Sequence, residues 1–455
     1  MPTLTHTTTA GASQRIAVIG AGWAGLAAAI GVTQSGHYAT VFEASKAIGG
    51  RARALEVTLP DGRKTTLDNG QHILIGAYAD TLRLMQLVGV ERSRVLLDLP
   101  MSLRFPDGKG IVFPRLPAPL DALTAIVMAR GWSLGDKLNL LRVASGWQRG
   151  GFQCAAHLTV TELCQSLGRR VTTELMEPLC VSALNTPAHQ ASASVFMRVL
   201  RDALFGASGG SHLLLPLVDM SALFPDPAAT WLVQRGASLR LSTRVGNIVQ
   251  QGTTWQVEGE TFDGVILATS ASHAALALKE SCLSATQEVA NNIQQWATIA
   301  NGLQFEPITT VYAWAGKACL TAPMLALRSD VACPAQFVFD RGQLGGPAGL
   351  LAFVVSASVG DHDTLTQQVL RQAKAQLGLS LQVVQTVVEK RATFACTAGL
   401  RRPPTDIAPG LWACGDYVQG PYPATLEGAV RSGLAAAGSA IAPARQGEHN
   451  NTDLG

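Results

Sequence analysis

The sequence predicts an α/β fold: a Rossmann-like parallel-sheet domain built from discontinuous segments, with an α+β domain inserted between them. Three stretches carry that prediction. "RIAVIGAGWAGLAAAIGVTQSG" from Arg15 reads as a short apolar strand, a glycine turn and a helix, and "HYATVFEAS" supplies the next parallel strand. Mid-chain, "ASLRLSTRVGNIVQQGTTWQVEGETFDGVILATS" returns to strand patterning and ends in a continuous apolar run. Near the C-terminus, "GLWACGDYVQGPYPATLEGAVRSGLAAAGSAI" gives a strand, a loop and a helix of small residues.

Between these stretches the elements follow in order. "ALEVTLPDGRKTTLDNG" alternates apolar and polar residues on both sides of Pro60-Asp61-Gly62, which predicts a hairpin whose second strand runs into "LDNGQHILIGAY". From Ala79 to Leu215 the pattern is mostly helical, broken by the Pro-rich "FPRLPAPLDALTAIV". A second β-rich block holds "TTVYAWAG", "AQFVFDRG" and "GLLAFVVSAS", followed by a helix around "TLTQQVLRQAKAQLG". The expected division is residues 15–80, 216–275 and 395–443 for the parallel-sheet domain and 81–215 and 276–394 for the substrate-binding domain, with disordered tails over 1–14 and 444–455.

Composition narrows the function classes. The chain has 455 residues, 47% of them hydrophobic, enough for a large core and more than one domain. A net charge of +3 with 15% charged residues leaves no electrostatic footprint for nucleic acid. The eight cysteines are scattered without a CxxC pair or zinc spacing, and are expected to be reduced core residues in a cytosolic protein. The N-terminus lacks the cationic and apolar regions of a signal peptide, and no apolar run is long enough to span a bilayer. The expected location is cytoplasmic, with peripheral contact at the inner face of the cell membrane.

Gly20-Ala21-Gly22-Trp23-Ala24-Gly25 is a dinucleotide fingerprint in its required setting, after a strand and opening a helix. Its glycines let the backbone approach a pyrophosphate whose charge sits at the helix N-terminus. Glu43, at the end of the second strand, is placed to accept hydrogen bonds from ribose hydroxyls. Gly49-Gly50-Arg51 suits a second approach to the same pyrophosphate. Gly415-Asp416, between a strand and a helix opening at Thr425, offers an acid for a ribityl hydroxyl and a helix N-terminus for negative charge on a reduced isoalloxazine. Together these point to FAD. No second GxGxxG is present, so electrons for a reductive reaction must come from an external donor.

"VIGAGWAGL", "EASKAIGGRAR" and "GDYVQGPYPATLEGAVRSG" resemble the flavin-containing amine oxidase and carotenoid (phytoene) desaturase superfamily over nearly the whole chain. More narrowly, "LDNGQHILIGAY", "PLCVSALNTPAHQASASVF" and "YPATLEGAVRSG" resemble the bacterial squalene-associated FAD-dependent enzymes, the hydroxysqualene dehydroxylase family of hopanoid biosynthesis. That resemblance implies reduction of hydroxysqualene, a C30 isoprenoid, to squalene, with loss of the hydroxyl as water and oxidation of reduced FAD. A desaturase of carotenoid or squalene type is the first alternative. An amine oxidase is the second, for which only Tyr417 and Tyr422 are available as flavin-facing aromatics.

The resemblance also implies site positions. Asn69, Gly70, Gln71 and His72 match the strand end delivered beside the flavin. Val245 matches the residue whose backbone meets the adenine, and Ala44, Ala268 and Leu426 complete the implied cofactor shell. His72 titrates near neutrality and is a candidate proton donor or relay; as an alternative it braces the joint through a backbone carbonyl. Asp68 is expected to cap its own turn. Tyr422 is a candidate for shaping the site, while Asn185 and Thr186 either face the substrate tunnel or cap a helix before Pro187. Apolar residues interleaved with Arg115, Arg130, Lys137, Arg142, Trp132 and Trp147 read as a membrane contact or as an amphipathic helix packed on the substrate domain.

Overall fold

A computed structural model describes residues 13–204, 206 and 209–442. The expected tails lie outside the described residues except for Ser13 and Gln14, which belong to the fold. The Ser13 hydroxyl donates to the Gly36 carbonyl at 2.9 Å, and the Gln14 N–H donates to His37 Nδ1 at 3.0 Å.

A six-stranded sheet organises one half of the molecule, in the order Ser238–Arg240, Tyr38–Phe42, Arg15–Ile19, Gly264–Leu267, Leu411–Ala413, Asp406–Ala408. All neighbours are parallel except the last pair. Gly264–Leu267 is buried throughout, as its unbroken apolar run requires of a strand covered on both faces. Helix Trp23–Gln34 covers one face and packs on the last helix, Leu426–Ile441, through small residues. A Cβ on Gly433 would lie 2.1 Å from the Ala24 carbonyl oxygen, so the two helices meet backbone to backbone.

The second half is built on an antiparallel sheet ordered Met324–Ala326, Phe337–Asp340, Leu350–Ser356, Phe305–Trp314, Gln382–Phe394. Alternation along Phe305–Trp314 sends Val311 and Ala313 to one face, under helix His362–Leu377, and Tyr312 to the other, against the main core. That opposite face is where the hairpin Ala54–Thr58/Lys64–Asp68 arrives, because the Tyr312 hydroxyl donates to the Asp68 carbonyl at 3.0 Å.

Four sequence expectations are corrected. The 79–215 stretch contains strands Leu96–Leu99, Ser102–Arg104 and Gly110–Val112 among its helices. Leu74–Ile75, Leu213–Pro216 and Leu96–Leu99 form one antiparallel sheet, which crosses the boundaries expected at 80 and 215. The mid-chain strand ends at Arg240 rather than running on to Arg244. Cys164, Cys180, Cys396 and Cys414 are buried, but Cys319 is exposed and is not a core residue.

Candidate functional site

The first glycine turn is shaped by backbone contact. Gly20 sits at φ +112°, where a Cβ would come within 2.7 Å of the Ala268 carbonyl oxygen, and a Cβ on Gly25 would meet the Gly20 carbonyl oxygen at 1.9 Å. Helix Trp23–Gln34 opens at Gly22 with no side-chain cap and no acid in its first turn, which leaves its positive end available to an anion. Trp23 and Ala24 form that first turn and are themselves buried. The second glycine turn lies alongside: the Gly49 N–H donates to the Ala21 carbonyl at 2.9 Å, and a Cβ on Gly50 would stand 3.3 Å from Gly22 Cα. Two stretches of bare backbone thus line one cradle.

Glu43 follows the strand Tyr38–Phe42 at the edge of this cradle. Its carboxylate accepts the Ala21 and Ser45 N–H groups, each at 2.8 Å, and each oxygen keeps a second lone pair. Ala44 is exposed beside it. The chain leading to the partly buried Val245 runs along this edge, since the Thr243 N–H donates to the Glu43 carbonyl at 2.8 Å.

At the other end, Arg51 and Asp416 pair with one another. Arg51 Nη2 lies 2.7 Å from both carboxylate oxygens of Asp416, and its other nitrogen donates to the carbonyls of Arg391 and Ala392. The Asp416 charge raises the Arg51 pKa, so the guanidinium stays charged despite burial. Gly415, at φ +152°, turns the chain where a Cβ would strike the Tyr417 ring at 2.6 Å. Thr425 caps the last helix by accepting the Gly428 N–H at 3.0 Å, and Leu426 opens that helix. Its positive end already carries Glu427, a buried carboxylate bound to Thr81 and Arg431. The Glu427 carboxylate is directed at Thr81 and Arg431 rather than at the N–H groups that open the helix.

The stretch Asp68–His72 links these parts. Asp68 is 2% exposed and accepts the Met220 N–H at 2.7 Å. It therefore binds the first N–H of the short helix Met220–Leu223, whose N-cap is Asp219, and does not, as expected, cap its own turn. Burial pushes the carboxyl up to about 6, against the Met220 bond and the Arg341 charge. Asn69 Nδ2 is 3.4 Å from both the Arg51 carbonyl and Glu389 Oε2. Gly70 adopts φ +137°, open to glycine alone. Gln71 is held from both ends, its Oε1 accepting from Arg341 at 3.2 Å and its Nε2 donating to the His72 carbonyl at 3.1 Å.

His72 Nδ1 lies 2.9 Å from the Gly70 carbonyl oxygen, which only accepts, so the ring proton is on Nδ1 and Nε2 is the acceptor. Burial lowers the imidazole pKa to about 4, opposed by the Gly70 bond and assisted by the Arg51 charge. The ring is neutral at neutral pH. It has the hydrogen bond of a brace, and it is not a charged acid.

The remaining candidates are engaged elsewhere. The Tyr422 hydroxyl donates to Asp202 at 2.8 Å, and its ring packs beneath the guanidinium groups of Arg198 and Arg431. Asn185 is a left-handed helix cap whose side chain binds Thr393 Oγ1 at 2.9 Å and the Ala357 N–H at 2.7 Å. The Thr186 hydroxyl, fully buried, donates to the Leu184 carbonyl and accepts the Cys396 N–H. Both residues tie their helix to the inserted sheet, so of the two roles read for them the capping role is the one the geometry gives.

Sequence reasoning missed Arg341, Glu389, Thr310 and Arg402. Arg402 carries the flavin-side loop, donating to the Tyr422 carbonyl at 2.9 Å and the Asp416 carbonyl at 3.4 Å. Arg341 follows the buried strand Phe337–Asp340 and is only 6% exposed. That position, a charge directly after an apolar strand, was the one available signal. Nothing local marks the others.

The residues fit a bound flavin dinucleotide. The two glycine turns lie side by side, with Gly20, Gly25 and Gly49 leaving no room for a Cβ, and two buried hydroxyls at the far end lack partners. These are Thr310 Oγ1, 3.8 Å from where a Gly70 Cβ would stand, and the Tyr417 hydroxyl beside Gly415. Uncapped helix, paired glycine turns and ribose carboxylate are the equipment of an FAD-dependent oxidoreductase, and the comparisons agree that the protein is one. The chain belongs to the flavin containing amine oxidoreductase family, whose model matches residues 23–441.

Among curated relatives, a hydroxysqualene dehydroxylase of Rhodopseudomonas palustris is 27% identical, covering 95% of this chain and 100% of that protein. One from Zymomonas mobilis is 25% identical, covering 93% and 98%. A zeta-carotene desaturase of Arabidopsis thaliana is 29% identical over only 28% of this chain and 23% of its own. Among solved structures, an oxidoreductase from Methanosarcina mazei superposes with a TM-score of 0.70 at 16% identity, covering 92% of this chain and 99% of that one.

Proposed function

We propose that the protein reductively removes the allylic hydroxyl of hydroxysqualene, releasing squalene and water. The observation that carries this reading is the end-to-end match to relatives of that name, against a desaturase match confined to about a quarter of the chain. The substrate is an uncharged C30 chain, in keeping with a protein whose charged fraction is 15%. When bound, reduced FAD would supply the hydride to carbon, a proton from the reduced flavin or solvent would let the hydroxyl leave as water, and an external donor would restore the cofactor.

The chain's own residues bind and orient. Gly20, Gly22, Gly49 and Gly50 receive the pyrophosphate, Glu43 the ribose, and Arg51 with Asp416 the stretch between nucleotide and ring. Gly70 lets the ring approach the backbone. His72 keeps its proton on Nδ1 and offers Nε2 to an O–H group, so it positions the departing hydroxyl or a water without protonating it as an imidazolium. Arg341 fixes Gln71 so that this strand end holds one shape. We further propose residues 15–80, 216–275 and 395–443 as the cofactor domain and 81–215 and 276–394 as the substrate domain, joined across positions 80 and 215 by the small antiparallel sheet.

The test is product analysis after anaerobic incubation of dithionite-reduced enzyme with hydroxysqualene. Squalene is the expected product. Its absence, with bleaching of the oxidised flavin by an added polyene, would establish the desaturase reading instead. In the same assay His72→Gln should retain FAD and lower kcat, and the wild-type rate should show no imidazole inflection between about pH 5 and 8.

A further inference from the structure

Exposed apolar surface is concentrated in one place. Of the fifteen large apolar side chains exposed among the described residues, eight fall between Val112 and Leu138. Helix Leu120–Met128 buries Ala122, Ala125 and Ile126, yet presents Leu120, Leu123 and Val127 on its other side, at the i, i+3, i+7 spacing of a second apolar stripe. Met128 ends the stripe 70% exposed. Helix Leu134–Arg149 adds Leu134 and Leu138, one turn apart and 78% and 67% exposed. Lys137 Nζ donates to the Val127 carbonyl at 2.7 Å and ties the two helices together. A contiguous patch of this kind is rare on a monomer with nothing to cover it.

The exposed charges on the two helices and the segments flanking them are mostly basic. Arg115, Arg130 and Arg142 are exposed there, whereas Asp121 is buried and Asp136 is engaged in the capping box with Ser133. Leu116 and Pro117 also border a cleft of about 530 Å³ in which Arg92 is paired with Asp98 at 2.6 Å, leaving Arg115 as the cleft's unpaired charge at the edge of the face. Trp132, read from sequence as part of this contact, is buried with its indole N–H on Glu174 and takes no part.

We propose that this face docks on a bilayer surface containing anionic lipid. Apolar stripes flanked by exposed Arg side chains without a carboxylate partner are what an interfacial helix pair needs, leaflet below and phosphate groups at the rim. A second copy of the chain suits it poorly, because a two-fold contact sets the patch against itself and brings like charges together. No described helix is long and apolar enough to cross a membrane, so the contact is interfacial. The proposal goes beyond the reaction assigned above and does not depend on it.

The experiment is flotation of the purified flavoprotein with vesicles of phosphatidylcholine, with and without phosphatidylglycerol. Wild type should float with the anionic vesicles and weakly with the neutral ones. The pair Arg130→Gln and Arg142→Gln should lower partitioning about 30-fold. The set Leu120→Gln, Leu123→Gln and Val127→Gln should abolish flotation while flavin absorbance and melting temperature stay unchanged. Failure of wild type to float, or flotation of the triple variant like wild type, overturns the proposal. So does a concentration-dependent dimer, seen by sedimentation without vesicles, that the triple variant abolishes.

Discussion

At Asp68 a carboxyl is held where water cannot reach it, and the sign of the consequence follows from its raised pKa. Unfolded, the group titrates near 3.8; folded, near 6. Its stabilising contribution is fully present below the lower value and is lost as pH rises through the upper one, a difference of about 3 kcal/mol. Asp68→Asn keeps an oxygen for the Met220 N–H and cannot ionise. The variant should melt higher than wild type at pH 7 to 8, and the gap should close as pH falls toward 4 in melting curves at stepped pH. His72 has the opposite sign. Its lowered pKa makes its contribution present at neutral pH and lost as pH falls from 6.5 toward 4, so the two residues narrow the stable range from opposite sides.

Between elements, the first helix and the last meet backbone to backbone. Gly433→Ala forces a methyl group to within 2.1 Å of a carbonyl oxygen and should cost about 1–3 kcal/mol, with loss of bound flavin because the glycine turn rides on that helix. Gly438→Ala, on the same helix with nothing within 4 Å of the added Cβ, should instead gain up to about 1 kcal/mol. Urea denaturation of both variants checks the pair. The glycine turns were legible in the sequence because the need for glycine is local: a strand, a bare turn and a helix announce themselves within a dozen residues. Gln382–Phe394 was not legible as a strand. Register shifts against Phe305–Trp314 break its alternation, and pairing partners far away in sequence supply what the pattern lacks.

Across the whole molecule, the cofactor holds together segments that are distant in the chain. The ordering of Rossmann-like and inserted parts was readable from where strand patterns recur. The sheet crossing positions 80 and 215 was not, because Leu213-Leu214-Leu215 shows no alternation to mark it as a strand. The site itself was half readable: groups that meet a ligand through backbone left motifs, while Arg341, Glu389 and Thr310 act through contacts that only the closed fold creates. Because FAD binds the native state alone, removing it should lower the melting temperature. Restoring it at a hundredfold over Kd should return about 2.7 kcal/mol, measurable by thermal scans of apo and reloaded enzyme.

The Arg51–Asp416 pair spans 365 residues, and that span sets a clock on biosynthesis. At a synthesis rate of about 5–20 residues per second, Arg51 leaves the ribosome about 20–70 s before its partner is made. During that interval the nascent chain displays both glycine turns and can meet the nucleotide end of FAD, while the ring end has no floor. With Asp416 and the last helix needed to close the proposed cleft, FAD retention by stalled nascent chains is the expected outcome only once synthesis has passed Ile441.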